Sequence, residues 1–273
     1  MTREMLVNEL VKRGYVAEKH DVIKNGVLME GIMIKTERNI NPVIYTKRMI
    51  KEAMDLDMSV SEVVDEVIKM SRDKEVEDFD IEMFTDKDYI LNHIYIGMQR
   101  ESEEKIIKKK SEFDGIEMYL YLRDDKEKLG SYSIRVNRGI LESAGLTKEE
   151  AWKKAEENTL AETRVQTMAN LMSEMTGQDI DELDMGTPLY VFSNESRTKG
   201  ASAILDKKKL ERVAWKHKTD KLVVLPSSVH EMLVVPFEDS LSLEAMSAMV
   251  RDVNENEVLP EEQLADRAYI VEI

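Results

Sequence analysis

Hydrophobic and polar positions along the chain follow two periods, and each period predicts one kind of element. Apolar residues at alternate positions, or in short stretches bounded by turn residues, predict β-strands. Apolar residues three and four positions apart predict amphipathic helices. The predicted strands lie at 25–37 (as a hairpin), 43–45, 93–98, 116–122, 132–136 and 189–192, on both sides of Pro226, and at 268–273. The predicted helices lie at 1–10, 47–54, 59–70, 147–160, 162–175, 206–217 and 242–253.

Capping signals mark the start of several of these helices. In a capping box, a serine or threonine and a glutamate three residues later bond to each other's backbone N–H groups. Ser59 with Glu62, and Thr147 with Glu150, have this spacing. Asp206 is placed to cap a further helix. These residues therefore predict where three helices begin.

Two helices are expected to bury one apolar face. In the helix at 162–175 the stripe consists of Val165, Met168, Leu171, Met172 and Met175. In the helix that starts at Ser242 it consists of Leu243, Met246, Met249, Val250 and Val253. Such spacing is typical of side chains that face a core.

The order of elements predicts an α+β fold, with mixed or mainly antiparallel sheets and packed helices. We expect a small N-terminal α+β unit at residues 1–73 and a larger C-terminal α+β unit at 91–273. Residues 74–90 hold seven acidic and two basic residues and are the candidate linker between the units.

Composition and charge exclude several classes of function. The chain has 273 residues, of which 39 are basic and 55 acidic, giving a net charge of −16. A field of this sign repels phosphate backbones, so we expect no direct nucleic-acid ligand. The absence of cysteine excludes disulfides and thiolate chemistry and favours a cytoplasmic location. Apolar stretches are too short for a membrane span, and Glu4 and Glu9 interrupt the segment that a signal peptide needs.

Motifs for cofactors and metals are missing from the sequence. The four histidines, at 20, 93, 217 and 230, include no pair four residues apart on a helix. Neither of the glycine-rich phosphate-binding motifs occurs. We therefore expect no cofactor and no metal ion.

The most distinctive passage is 221–236, where two apolar strands flank Pro-Ser-Ser and a histidine and a glutamate follow. One hypothesis makes Ser227 or Ser228 a nucleophile, with His230 as its base and Glu231 as the orienting group. In an extended strand, however, Ser228 and His230 share a face about 6.5 Å apart, whereas Glu231 points to the other face. The alternatives are a structural role, with the proline fixing a turn, and a binding surface. The four residues remain candidates, and none is assigned as catalytic.

Acidic residues also concentrate at 237–266, where nine of them accompany the single basic residue Arg251. Clustered carboxylates can imitate nucleic-acid phosphates and occupy the basic groove of a DNA- or RNA-binding protein. The alternative is an ordinary acidic surface.

Several strings along the chain together resemble an uncharacterised protein family that is common in Gram-positive gut anaerobes and their mobile elements. The most specific string is Leu-Pro-Ser-Ser-Val-His-Glu at 225–231; the others lie at 25–27, 41–45, 134–137, 146–152, 155–159, 253–255, 258–262 and 266–269. The resemblance covers nearly the whole chain. It implies a soluble intracellular protein carried on mobile elements, and it implies no activity, substrate, cofactor or catalytic residue.

The sequence therefore favours a noncatalytic interaction or accessory protein whose partner is another protein. One rival hypothesis is a hydrolase that uses the region of Ser227, Ser228, His230 and Glu231. The other is an acidic mimic that inhibits a nucleic-acid-binding protein.

Overall fold

The computed structural model describes residues 1–38, 41–73, 81–124, 132–180 and 187–273. These residues form two compact units, one within Met1–Ile81 and one built from Glu82–Asp124 and Ser133–Ile273. Residues 74–80 of the predicted linker lie outside the described residues, and Glu82 onward groups with the second unit.

The first unit packs helices on a small sheet. Its elements are α1 (Arg3–Lys12), β1 (Val16–Lys24), β2 (Val27–Lys35), β3 (Val43–Tyr45), α2 (Lys47–Asp55) and α3 (Val60–Asp73). The strands pair antiparallel in the order β1-β2-β3. Leu6, Leu10, Ile32, Ile44, Val64 and Val67 are fully buried in its core. The Ser59–Glu62 capping box forms as predicted, with Glu62 accepting from the Ser59 N–H at 2.8 Å.

The prediction of a hairpin within residues 25–37 is wrong, because these residues form only one of its two strands. Residues 27–35 form one strand, its partner is β1, and the turn lies at Asn25–Gly26. Both turn residues have positive φ, at 51° and 75°, which is typical of a two-residue hairpin turn. Gly31 lies inside β2, where a larger residue would not fit, because a Cβ there would come within 2.4 Å of Val43 Cγ1 on β3.

The second unit contains two antiparallel sheets and most of the helices. Its helices and strands are α4 (Lys87–His93), β4 (Ile94–Arg100), β5 (Lys108–Lys110), β6 (Ile116–Asp124), β7 (Tyr132–Arg135), α5 (Arg138–Ser143), α6 (Lys148–Ala161), β8 (Thr163–Thr167), α7 (Met168–Thr176), β9 (Tyr190–Asn194), α8 (Lys207–His217), β10 (Lys221–Ser228), β11 (Glu231–Pro236), α9 (Leu243–Asn256) and β12 (Tyr269–Glu272). Short 3-10 helices lie at Ile81–Thr85, Gly200–Leu205 and Pro260–Glu262.

The larger sheet has the strand order β12-β10-β11-β9-β8, and the smaller has β4-β6-β5 with β7 also pairing with β6. The α+β prediction is confirmed, and the sheets are antiparallel where the register is described.

Alternate residues of the strands build the core of the second unit. The main core includes Ile94, Ile96, Met98, Leu120, Leu122, Phe192, Leu222, Val224, Met232 and Val234. The other face of the larger sheet packs beneath α9, where Val223, Leu225, Val235, Val250 and Ala268 form a smaller cluster. Both faces of the central strands β10 and β11 are therefore buried.

The helix predicted at 162–175 is wrong in its first part. Residues 163–167 form strand β8, and the helix α7 begins only at Met168, capped by Thr167. Of the predicted stripe, Met172 and Met175 are exposed, the latter by 74%. Alternating β-branched residues favour a strand here, and pairing of Thr163–Thr167 with Tyr190–Asn194 stabilises it.

The face predicted for the helix after Ser242 is also wrong in part. Val250 is buried, but Met249 is 57% exposed, and the helix buries the polar residues Ser247 and Asn254 instead. Asn254 Nδ2 donates to the Ala265 carbonyl at 3.0 Å, so hydrogen bonds to the C-terminal segment set the rotation of α9. Among the described helices, none combines the length and the apolar character that crossing a membrane requires.

Candidate functional site

The passage singled out in the sequence forms the β10–β11 hairpin, but its turn lies at Val229–His230 and not at Pro226. Ser228 pairs with Glu231 as the last step of the ladder, and a bulge separates Pro226 from Ser228. Pro226 lies past the end of the ladder between β10 and β12, which stops two residues earlier. Its missing N–H therefore costs no hydrogen bond on that side.

The imidazole of His230 lies between two other segments of the chain. Its Nδ1 accepts a hydrogen bond from the Lys199 backbone N–H at 3.1 Å. Its Nε2 lies 3.4 Å from Glu262 Oε1. Because Nδ1 is an acceptor, a neutral ring carries its proton on Nε2, where it faces the carboxylate.

Backbone hydrogen bonds hold the same turn on both sides. The Val229 N–H donates to the Glu262 carbonyl at 2.7 Å, and Ser193 Oγ donates to the His230 carbonyl at 2.8 Å. The chain passes so close to the turn at Gly200 that a Cβ there would lie 2.7 Å from the His230 oxygen. The turn is therefore a fixed junction between the hairpin, the segment 193–201 and the 3-10 helix Pro260–Glu262.

The two candidate serines make other contacts. Ser227 Oγ donates to Glu231 Oε1 at 3.3 Å. Ser228 Oγ accepts the backbone N–H of His230 at 3.1 Å. The structure thus brings all four candidate residues into one turn, but the imidazole bonds to Lys199 and Glu262 and not to a serine. A serine nucleophile with histidine as its base is not assembled.

A polar cleft of about 210 Å³ adjoins the turn. Its lining residues are Arg164, Gln166, Leu171, Glu174, Val191, Ser193, Asn194, Glu195, Arg197 and Glu231. The charged side chains pair across it, Arg164 with Glu195 at 2.7 Å and Arg197 with Glu174 at 3.1 Å. Small-molecule sites are usually larger and mostly apolar, so this cleft has the character of an ion-paired surface. Within the described ranges, histidine and carboxylate side chains form no group of three that could hold a metal ion.

A second groove, of about 420 Å³, runs between the end strand β8 and helix α8. It is lined by Thr163, Arg164, Val165, Tyr190, Lys209, Arg212, Val213 and Lys216. Four of these residues are cations and none is an acid, although the chain as a whole has a net charge of −16. No local sequence pattern predicts this groove, because its two walls are about 45 residues apart along the chain.

Trp215 stands on the exposed face of α8, and 84% of its surface is accessible. Arg212 lies one helical turn earlier, between Trp215 and the groove. The helical spacing was the signal that could have found this surface: Leu210, Val213 and Ala214 are buried, which leaves Trp215 on the opposite side. We call Arg212, Trp215 and the groove the α8 surface.

A buried tyrosine cluster covers part of the smaller sheet, and no sequence pattern predicted it. The ring of Tyr119 lies across Gly97, where a Cβ would come within 2.6 Å of the ring. Burial raises the pKa of Tyr119 to about 12. Beside it, Arg123 lies over the Tyr95 ring at 4.4 Å and donates to Glu162 at 2.5 Å.

The comparison with known families covers both units. The model of a family of unknown function, DUF5688, matches residues 3–272. The chain belongs to this family. The expected membership of an uncharacterised family that spans nearly the whole chain is therefore confirmed. No curated protein and no solved structure matches the chain.

Proposed function

We propose that this DUF5688 chain is a noncatalytic interaction or accessory protein that binds another protein. The observation on which the proposal rests is the 84% exposure of Trp215 beside Arg212 on α8. Tryptophan and arginine dominate the binding energy of protein interfaces, because each provides a large contact area together with a polar group. A contact at Trp215 would remove a large apolar surface from water, so the place of this side chain on the surface favours binding of a partner.

The geometry of the hairpin turn supports a noncatalytic role. The Nδ1 lone pair of His230, which a general base would need, accepts the Lys199 N–H. Ser227 and Ser228 bond to Glu231 and to the turn backbone. These contacts favour the structural alternative for the motif over the hydrolase.

The acidic segment 237–266 gives the mimicry hypothesis no support of its own. Several of its carboxylates have partners within the fold: Glu262 faces His230, Glu244 pairs with Arg251, and Asp266 accepts from Asn254 at 2.8 Å. The proposal includes a cytoplasmic location, which the absence of cysteine favours, and carriage on mobile elements, which the sequence resemblance implies.

The test is affinity purification from the native host, followed by binding of the purified partner to the purified chain. We expect Trp215→Ala to abolish recovery of the partner, whereas Leu56→Ala, which removes a side chain of similar exposure (73%) in the first unit, leaves recovery unchanged. His230→Ala and Glu231→Ala serve as paired variants for the motif. Recovery unaffected by both of them excludes the motif from binding.

Two outcomes would contradict the proposal. One is partner recovery that does not change in Trp215→Ala. The other is hydrolysis of an ester or peptide substrate that is lost in Ser227→Ala or Ser228→Ala while the melting temperature stays the same.

A further inference from the structure

We infer that the α8 surface binds an acidic, extended segment of the partner protein, which adds as a strand to the free edge of β8. This inference rests on the proposed function, because it names the chemistry of the partner. It depends on three features of the surface: a strand edge that has no partner strand among the described residues, a positive groove and an exposed tryptophan.

The free edge follows from the topology of the larger sheet. β8 is the end strand, and within the described part of the chain only β9 pairs with it. The Met168 N–H donates to the Leu189 carbonyl, so backbone groups at Met168 point towards the β9 side. Since these directions alternate along a strand, the groups of Thr163, Val165 and Thr167 point away from β9.

The outward groups differ in their partners. The Thr163 carbonyl accepts a hydrogen bond from Lys209 Nζ, which closes that end of the edge. The N–H and C=O of Val165 and the N–H of Thr167 remain directed outward. An added antiparallel strand would exchange two hydrogen bonds with Val165, the arrangement found where an extended peptide joins a sheet edge.

The charge of the groove selects the partner. Arg164 pairs with Glu195, and Lys209 lies 3.8 Å from Asp206, so these two cations are partly neutralised. Arg212 is exposed and has no acidic partner within the described residues. In an added strand, side chains on the same face repeat about every 7 Å, which lets successive carboxylates face the cations of α8.

Trp215 provides the apolar part of the contact. It stands beyond Arg212 on the solvent side of α8, where it can cover an apolar side chain of the same segment. A neutral or basic segment would lack the ion pairs, and a nucleic acid would lack the N–H and C=O pattern that a strand edge recognises. The chemistry therefore favours an acidic, strand-forming peptide.

The experiment selects displayed random peptides of 12 residues on the purified full-length chain. We expect enriched peptides to have a net negative charge and alternating β-branched residues. Val165→Pro removes the outward N–H, and Arg212→Glu reverses the unpaired charge. Each is expected to weaken binding of an enriched peptide about tenfold, because one charge-assisted or strand hydrogen bond accounts for roughly that factor.

Matched variants separate these effects from unfolding. Ile270→Pro places a proline at an outward position of β12, the opposite edge of the same sheet. Arg48→Glu reverses an exposed cation in the first unit. Both controls are expected to bind the peptide with unchanged affinity, and melting temperatures of all four variants are measured in parallel.

Several outcomes overturn the inference. The first is enrichment of basic or neutral peptides, and the second is equal peptide binding by wild type and a folded Arg212→Glu variant. The third is saturable binding of double-stranded DNA at this groove, and the fourth is self-association of the chain that blocks the groove. If the natural partner still requires Trp215 but tolerates both Val165→Pro and Arg212→Glu, the inference fails while the proposed function stands. If no partner requires Trp215, the proposed function fails.

Discussion

The backbone N–H of Lys199 donates to Nδ1 of His230, and this bond fixes the β10–β11 turn to the segment before the 3-10 helix Gly200–Leu205. Removing the ring leaves that N–H without its acceptor, at a site one-third exposed, so His230→Ala is expected to cost about 1 kcal/mol of unfolding free energy. In His230→Asn the amide oxygen occupies the place of Nδ1, and about half of this loss should be recovered. Urea unfolding midpoints compare the two variants, and equal destabilisation by both would show that the Lys199 bond contributes nothing.

Gly200 is the residue at which this junction has least space. A Cβ would lie 2.4 Å from Ser193 Oγ, 2.6 Å from the Asn194 nitrogen and 2.7 Å from the His230 oxygen. Two of these atoms are backbone and cannot rotate away, so Gly200→Ala is expected to destabilise the fold by about 2–3 kcal/mol. Thermal unfolding measures the effect. The control is Gly139→Ala in α5, where the nearest atom, Asn137 Oδ1, lies 3.3 Å away and the melting temperature should not fall.

The features predicted correctly from the sequence have causes that lie within a few residues. The capping boxes at Ser59 and Thr147 form because the serine or threonine and the glutamate three residues later each accept the backbone N–H of the other. The helix at Asp206 is confirmed for a similar local reason, because the Asp206 carboxylate accepts the Lys209 backbone N–H. The strand predicted at 43–45 is confirmed as well.

The errors arise where distant residues decide the structure. Residues 163–167 form a strand through pairing with β9, about 27 residues away, although their spacing also suits a helix. The candidate motif was found, but its contacts were not, because Lys199 and Glu262 approach His230 from segments about 30 residues before and after it. The groove between β8 and α8 was missed for the same reason.

The capping box of α6 predicts a dependence of stability on acid. The Thr147 backbone N–H, together with Lys87 and the Thr147 hydroxyl, lowers the pKa of Glu150 from 4.5 to about 2. A depressed carboxyl pKa contributes stability above the unfolded value, so this contribution is present above pH 4.5 and lost as the pH falls towards 2. Glu150→Gln should therefore unfold with a shallower loss of stability between pH 5 and pH 2.5 (a range set by those two values). The control is Glu149→Gln, which removes the neighbouring carboxylate without touching Thr147. If stability falls equally steeply with pH in Glu150→Gln and in wild type, the capping box is not the source of this acid dependence.

The buried ring of Tyr119 predicts the opposite dependence at high pH. Burial raises its pKa from 10.0 to about 12, and it raises the pKa of the adjacent Tyr121 as well. A phenol whose folded pKa is raised stabilises the fold below pH 10, and this contribution is lost as the pH rises through 12.

In absorbance titration of the folded protein, part of the signal from the nine tyrosines should appear only near that pH, and Tyr119→Phe should reduce this late part. The chain unfolded in urea is the reference, since all its tyrosines should ionise near their ordinary value of about 10. If the late part keeps its full amplitude in Tyr119→Phe, the phenol is accessible to solvent, and the packing of its ring across Gly97 does not exclude water from the hydroxyl.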